Sequence, residues 1–330
     1  MDKSEKEITW IDAKQTTIER TLLHSFDYNL EPITLSFPIG GITFRILTNN
    51  LFFVSHAKSQ FETSDYETNN NLVVLNGISK SKLKFPELDQ SQIMTPHIGF
   101  YDEKNHYALT TGKGYGLFKS LIIGFASAIA QEKGYHPAHA SFIELNGRGI
   151  MLTGSHKAGK TTSLMHLMQV LKEYSPKILT DDWVLTNEND GAVFSLEDNL
   201  SFSRTFCEEF SYLNLIPSYE KNVVDGLKKV YVHPDEVFGE STKINKSKIN
   251  TIVMLEPVNR TNLFEYPERE IVVEYIINGT YHMPDCNPRQ VQRHRDFWMD
   301  TLSNTQFFSF DTRHKIPPYE SYIQLCNELK

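Results

Sequence analysis

The chain has little of what disulfide-stabilised, zinc-binding and nucleic-acid-binding proteins usually need. Its 330 residues include only three cysteines, which stand far apart and form no CxxC pair. This pattern argues against a disulfide framework or a zinc knuckle and favours a reducing compartment. Basic residues number 33 against 41 acidic ones, a net charge of -8. Because a chain of this charge repels a phosphate backbone, we expect no nucleic-acid partner.

Long apolar runs are also missing from the sequence. The longest, from about residue 121 to residue 130, is half of the ~20 residues needed to span a bilayer. The polar start of the chain, with mixed charges, predicts no signal peptide. We therefore expect a cytoplasmic protein with no membrane partner. Its composition, 40% apolar and 22% charged, is typical of one large globular domain or two smaller ones.

The first third of the chain predicts hairpins and loops. Segments 33–37 and 42–47 have strand composition on either side of a glycine-containing turn, which indicates a hairpin. A second hairpin is predicted between segments 106–109 and 115–118, followed by a helix from about residue 118 to residue 133. We expect a mixed α/β N-terminal domain over residues 1–133, which serves acceptor recognition or oligomerisation. Homo-oligomerisation is left open by the sequence.

Strands and helices alternate over residues 134–330, which predicts an α/β domain. Strands 142–145 and 149–153 flank Asn146-Gly147, a dipeptide typical of hairpin turns. A helix is predicted over 160–174, because apolar residues recur there at i, i+3, i+4 and i+7. Further strands are predicted at 177–180, 183–186, 192–195, 249–255 and 270–275, and a further helix at 288–303.

One motif carries most of the functional information. It fits GxxxxGK[ST], with a strand before it and an amphipathic helix after it. Glycines at both ends let the backbone curl so that N–H groups point at phosphate oxygens, and the helix N-terminus adds positive charge. The motif predicts ATP and Mg²⁺ as cofactors, and the alternative is a chance match on a glycine-containing turn. The candidate nucleotide ligands are Gly154, Ser155, His156, Lys157, Ala158, Gly159, Lys160, Thr161 and Thr162.

Two acidic residues follow the next predicted strand. Asp181 and Asp182 come directly after the apolar segment 177–180. Carboxylates at the end of a strand beside a phosphate loop are placed to serve Mg²⁺ or an attacking hydroxyl, and consecutive side chains point different ways. The alternative is a solvated Asp-Asp turn. His139 precedes the strand pair, and from chemistry alone it is more simply a structural or exposed histidine.

Together these residues resemble the HPr kinase/phosphorylase superfamily. The resemblance rests on the segments 139–141, 146–154 and 179–182 together with the phosphate loop, and it covers roughly residues 135–256. It implies a P-loop kinase core related to that of phosphoenolpyruvate carboxykinases, which transfers the γ-phosphoryl group of ATP to a hydroxyl. On the matched positions it implies the following catalytic residues and metal ligands. Lys160 would clamp phosphates, Thr161 and Asp182 would serve Mg²⁺, Asp181 would be the base and His139 would stabilise transferred charge.

The sequence also departs from that family. Residues 155–158 replace the small, glycine-containing run of the bacterial enzymes, and the glycine-rich signature after the Asp-Asp pair is missing. We therefore expect the acceptor to be a small molecule or a serine in a peptide rather than HPr. Two alternatives remain, a phosphoenolpyruvate-carboxykinase-like enzyme and a nucleotide-binding regulatory module without catalysis. A basic stretch, interpreted as a solvated face or a phosphate contact, comprises Lys221, Lys228, Lys229, Lys243, Lys246 and Lys248.

Overall fold

The computed structural model describes two compact units of mixed α/β structure, divided between Ala126 and Ser127. No helix in the described part of the chain is long and apolar enough to cross a membrane. The described ranges are 8–12, 31–37, 42–48, 54, 57–58, 63, 71–76, 97–101, 105–110, 115–155, 157–203, 206–207, 210, 223–224, 229–280, 288–313 and 318–329.

The first unit contains a six-stranded mixed sheet in the order β1-β5-β6-β4-β3-β2. The predicted hairpin at 33–47 is confirmed, since β2 and β3 are antiparallel with Phe37 opposite Ile42. A helix, α1 (Tyr115–Glu132), contains the division between the units. The strands are β1 (Ile8–Asp12), β2 (Glu31–Phe37), β3 (Ile42–Thr48), β4 (Asn71–Asn76), β5 (His97–Tyr101) and β6 (Asn105–Thr110).

The second hairpin predicted in this unit is wrong. Residues 115–118 belong to α1 and not to a strand paired with 106–109. Strand β6 already has β5 on one side and β4 on the other, so neither of its edges is open to a further strand. The apolar residues of 118–130 instead recur at helical spacing, and Leu121, Ile122 and Phe125 are buried on α1.

The second unit is built on a larger mixed sheet in the order β11-β10-β7-β8-β15-β17-β16, with β9 paired to β7. A small sheet of β12, β14 and β13 accompanies it. The strands are β7 (Tyr135–Leu145), β8 (Arg148–Gly154), β9 (Lys177–Thr180), β10 (Trp183–Asn187), β11 (Ala192–Ser195), β12 (Leu200–Ser203), β13 (Val223–Val224), β14 (Lys229–Val232), β15 (Ser247–Glu256), β16 (Phe264–Glu265) and β17 (Gln306–Asp311). The helices are α2 (Lys160–Val170), α3 (Pro234–Phe238), α4 (Arg269–Gly279), α5 (Pro288–Ser303) and α6 (Pro318–Leu329).

Two apolar clusters cover the two faces of this sheet. Alternate residues of β8 divide between them, with Ile150 and Leu152 in one cluster and Met151 in the other. The first cluster includes α2 and α6, and it contains the predicted apolar face: Leu164, Leu167 and Met168 of α2, and Leu171 directly after it. The second includes α4 and α5. The strand predicted at 270–275 is wrong, because helix α4 buries Val272, Val273, Ile276 and Ile277 at helical spacing.

The strand directions bring several chain segments to one edge of the sheet. Strands β8, β15 and β17 are mutually parallel, so their carboxyl ends coincide. Strand β7 is antiparallel to β8, and β9 is antiparallel to β7, so β9 also ends at this edge. The first half of β7 lies there as well, because Ala140 pairs with Thr153. The phosphate-loop motif follows β8, and Asp181 and Asp182 follow β9.

Candidate functional site

The segment between β8 and α2 is a tight loop that requires glycine at both ends. A Cβ atom on Gly154 would lie 2.6 Å from the carbonyl oxygen of Leu255 and 2.9 Å from Cβ of Ala158. Gly159 has a φ of 95°, in the left-handed region, and precedes the first turn of α2. The loop is closed by a hydrogen bond from the Ala158 N–H to the carbonyl of Ser155, at 3.1 Å. The segment therefore forms a tight turn between β8 and α2.

A residue that follows strand β17 contacts this loop. The hydroxyl of Thr312, just after β17, donates a hydrogen bond to the carbonyl oxygen of Ala158 at 3.1 Å. The methyl group of Thr312 lies 3.8 Å from the position that a Cβ on Gly159 would take. The parallel strand order brings this residue to the loop. Thr312 could not be predicted from the sequence, because more than 150 residues separate it from the motif.

Lys160, the first residue of α2, is folded back over the loop. Its side chain is buried, and the ammonium group donates to the carbonyl oxygens of Gly154 at 3.1 Å and of Ser155 at 3.2 Å. Burial lowers the pKa of Lys160, and the negative charge of Asp182 opposes that shift. Thr161 and Thr162 follow on the first turn of α2 and are half-buried. His156 lies outside the described residues.

Asp182 forms a close pair with His139. The imidazole Nε2 and the carboxylate Oδ1 are 2.6 Å apart. Because an ionised carboxylate only accepts, Nε2 carries the proton and donates it. The imidazole is also stacked on the indole of Trp183, with ring centroids 4.8 Å apart and an interplanar angle of 12°. The side chains of His139 and Asp182 remain 19% and 25% exposed, so a bound molecule can reach them.

Asp181 has very different surroundings. Its side chain is 2% exposed, and its Oδ2 accepts a hydrogen bond from the backbone N–H of Ser201 at 3.0 Å. Its own carbonyl oxygen accepts from the hydroxyl of Ser141 at 2.6 Å. The two adjacent carboxylates therefore point apart, as expected at the end of a strand. Asp182 faces His139 and the charge of Lys160, whereas Asp181 faces the start of β12.

The lysines of the basic stretch have different surroundings in the structure. Lys246 is 55% exposed and pairs with Asp190 on the surface, as a solvated face predicts. Lys243 instead donates to the carbonyl oxygens of Leu179 and Glu197, behind Asp181. Sequence analysis missed this role, because nothing in the spacing of the lysines separates one buried member from its neighbours. Lys221 and Lys228 lie outside the described residues, as does the side chain of Lys229.

The residues present fit a magnesium ion carried by a nucleotide. Among the described residues, no group of three or more His, Cys, Asp or Glu side chains is arranged to hold a metal ion. Magnesium in nucleotide sites takes few protein ligands and completes its shell with phosphate oxygens and water. A hydroxyl directly after the loop lysine, Thr161, and a partly exposed carboxylate, Asp182, supply oxygen donors of this kind.

No family model matches the chain, and no curated protein is significantly similar to it. The loop and the side chains beside it are therefore the observations that bear on function.

Proposed function

We propose that the protein is a kinase that uses ATP and Mg²⁺ to phosphorylate a hydroxyl group of a small molecule or of a serine in a peptide. One observation carries the proposal. The lysine of a phosphate loop and a hydrogen-bonded His139–Asp182 pair lie at the same edge of the sheet, and Lys160 interacts electrostatically with Asp182. Phosphoryl transfer needs this combination of a phosphate clamp and a nearby base.

The architecture supports a P-loop kinase core of the HPr kinase and phosphoenolpyruvate carboxykinase kind. The loop connects β8 to α2, and the next strand to reach the same edge along the chain, β9, ends in the acidic pair. His139 lies on β7, which pairs with β8 on one side and with β9 and β10 on the other. Strand β7 thus lies between β8, which leads into the loop, and β9, which precedes Asp182, and this arrangement supports the proposal that clamp and base act on one bound nucleotide.

In the proposed reaction, Asp182 is the general base. Its carboxylate takes the proton of the acceptor hydroxyl, and the hydroxyl oxygen bonds to the γ-phosphorus of ATP. The bond from that phosphorus to the β–γ bridging oxygen breaks, and ADP leaves. The Nε2–H of His139 orients the Asp182 carboxylate, while the ammonium of Lys160 offsets charge on the phosphates. The family resemblance implies Asp181 as the base, but its 2% exposure leads us to prefer Asp182.

Magnesium would be held by the hydroxyl of Thr161 together with phosphate oxygens. When bound, the ion neutralises negative charge on the β- and γ-phosphates. Giving Asp182 the role of base leaves Thr161 as the protein ligand, where the sequence predicts both residues. A nucleotide-binding module without catalysis would need the loop but not the His139–Asp182 pair. The pair therefore favours an enzyme.

Variants of the clamp and the base test the proposal. Affinity for MgATP is measured by calorimetry, and transfer is measured with γ-labelled ATP and an extract of small molecules and peptides from the source cells. Lys160→Met should lose both affinity and transfer, because it removes the phosphate clamp. Asp182→Asn should keep affinity and lose transfer by about 10²- to 10⁴-fold, the contribution typical of a general base.

Asp190→Asn is the matched control, since Asp190 lies on an exposed turn of the same unit. It should resemble wild type in both measurements. Transfer by Lys160→Met at the wild-type rate would refute the phosphate-loop assignment. Transfer by Asp182→Asn at the wild-type rate would refute the assignment of the base.

A further inference from the structure

We propose that Lys243 is a positioning residue, whose ammonium group ties the end of β9 to the turn before β12 and so fixes the acidic pair in place. The inference rests on the proposed function, since it deepens the role of that pair. Lys243 Nζ donates to the carbonyl oxygen of Leu179 at 2.6 Å and to that of Glu197 at 3.0 Å. Leu179 lies two residues before Asp181, and Glu197 lies four residues before Ser201.

The backbone around Lys243 is itself fixed against β9. The N–H of Ile178 donates to the carbonyl of Thr242 at 2.8 Å, and the N–H of Ile244 donates to the carbonyl of Ile178 at 2.9 Å. The N–H of Lys243 donates to the Oδ1 of Asp235, on α3, at 2.7 Å. The side chain therefore starts from a defined point beside the strand that carries the acidic pair.

These contacts close a ring around Asp181. The ammonium of Lys243 holds the carbonyls of Leu179 and Glu197, and the segment after Glu197 supplies the N–H of Ser201 that holds the Asp181 carboxylate. The hydroxyl of Ser195 also contacts the Glu197 carbonyl. Because Asp182 is the next residue, any shift of this ring moves Asp182 relative to His139. Lys243 does not contact the proposed reacting atoms, so it acts through position.

Charge supports the same role. Burial lowers the pKa of Lys243, and the carboxylates around it oppose that shift: Asp198, Asp181, Glu197 and Asp235. Each member of the acidic pair thus interacts with a different lysine, Asp182 with Lys160 and Asp181 with Lys243. A neutral residue at 243 would remove the positive charge from this group of carboxylates and release both carbonyls. The interior around Asp181 would then have to rearrange.

Two substitutions at this position, with a matched control, test the role. Lys243→Met keeps the apolar stem and removes the charge, Lys243→Arg keeps the charge, and Lys246→Met neutralises an exposed lysine three residues away. Lys243→Met should lower kcat about 10²-fold, the scale of a small misplacement of catalytic groups. The Kd for MgATP should stay within about threefold, because the clamp residues are untouched. Lys243→Arg should regain part of the loss, and Lys246→Met should match wild type.

Hydrogen–deuterium exchange supplies a readout that does not depend on activity. In Lys243→Met, exchange should accelerate in a peptide covering residues 196–203 and stay unchanged in one covering 161–170. Unchanged exchange at 196–203 would overturn the proposal. Equal losses of kcat, MgATP affinity and thermal stability would also overturn it, since they would indicate general destabilisation. If wild type transfers no phosphoryl group, the proposed function fails, while exchange still decides whether Lys243 holds the 196–203 segment.

Discussion

At the scale of single residues, the roles proposed for the adjacent carboxylates of Asp181 and Asp182 differ because their contacts differ. Asp182 receives the Nε2–H of His139 at 2.6 Å and is partly exposed. Asp181 receives the N–H of Ser201 and is buried. The chemistry of the two groups is the same, so their surroundings are the reason that we propose Asp182 and not Asp181 as the base. His139 should then matter for turnover and not for nucleotide affinity.

His139→Ala tests that expectation. Removing the imidazole leaves Asp182 without the donor that orients it, so kcat should fall by about 10²-fold or more. The Kd for MgATP should not change, because His139 does not belong to the phosphate loop. The control is Lys246→Met, which changes an exposed side chain of the same unit. A weaker MgATP affinity with normal kcat would contradict the role given to His139.

The residues of the site were predictable to unequal degrees. Lys160 and Thr161 follow from the motif, because its spacing is a property of the local backbone. The choice between Asp181 and Asp182 could not be made from the sequence, because it depends on Ser201 and His139, which come from other strands. Lys243 was hidden for a similar reason. A lysine in a basic stretch is usually solvated, and only tertiary contacts distinguish the exception.

At the scale of elements, the loop begins where the last residue of β8, Gly154, packs against β15. A side chain at Gly154 would meet the backbone of β15 at Leu255, which cannot move without breaking the β8–β15 pairing. Gly154→Ala should therefore distort the loop, abolish MgATP binding and cost about 1–3 kcal/mol of unfolding free energy, as overpacking typically does. Calorimetry with MgATP and urea unfolding measure the two effects.

Gly191→Ala is the control for this prediction. Gly191 also has a positive φ, 66°, but a Cβ there would have no atom within 4 Å. Gly191→Ala should therefore lower the free energy of unfolding by about 1–2 kcal/mol through backbone strain alone. MgATP binding by this variant should not change. Normal MgATP binding by Gly154→Ala would contradict the account of the loop.

Elements with strong local signals were predicted well. The β7–β8 hairpin turns at Asn146 and Gly147, which both have positive φ, as the Asn-Gly dipeptide predicts. Segment 270–275 was predicted as a strand because its valines and tyrosine have strand composition. In the structure this segment is helix α4, whose apolar residues pack on one face of the sheet. This tertiary packing outweighs the local preference for a strand. The strand predicted at 115–118 was wrong for the same kind of reason, since its expected partner β6 already has two neighbouring strands.

At the scale of the whole molecule, a buried histidine links stability to pH. His136, on β7, contacts His294 of α5 through Nδ1 at 3.2 Å and Glu188 through Nε2 at 3.2 Å. Its ring is stacked on Phe297, and Arg293 also binds Glu188. Burial lowers the pKa of His136 to about 4, against the opposing effect of Glu188. The native state therefore holds this histidine neutral over most of the pH range.

The sign of the pH effect follows from this shift. Between the unfolded pKa of about 6.5 and the folded value of about 4, the unfolded chain binds more protons at this site than the native state. The free energy of unfolding should fall as pH decreases through that window, and His136 should account for up to about 3 kcal/mol of this fall. Above pH 7 the contribution of His136 should no longer change with pH. His136→Phe preserves the ring stack and should flatten the dependence in urea unfolding at pH 4.5–7.5. An equally steep dependence in this variant would contradict the assignment.

The most direct test of the central claim is transfer of label from γ-labelled ATP, in the presence of Mg²⁺, to a hydroxyl acceptor. Wild-type protein and Asp182→Asn are compared on the same fractionated extract, with products separated by size. The account predicts a labelled phosphoester in the wild-type reaction and its loss in Asp182→Asn, with MgATP binding intact in both. Nucleotide binding by the wild type without any labelled phosphoester, or equal labelling by both proteins, would contradict it.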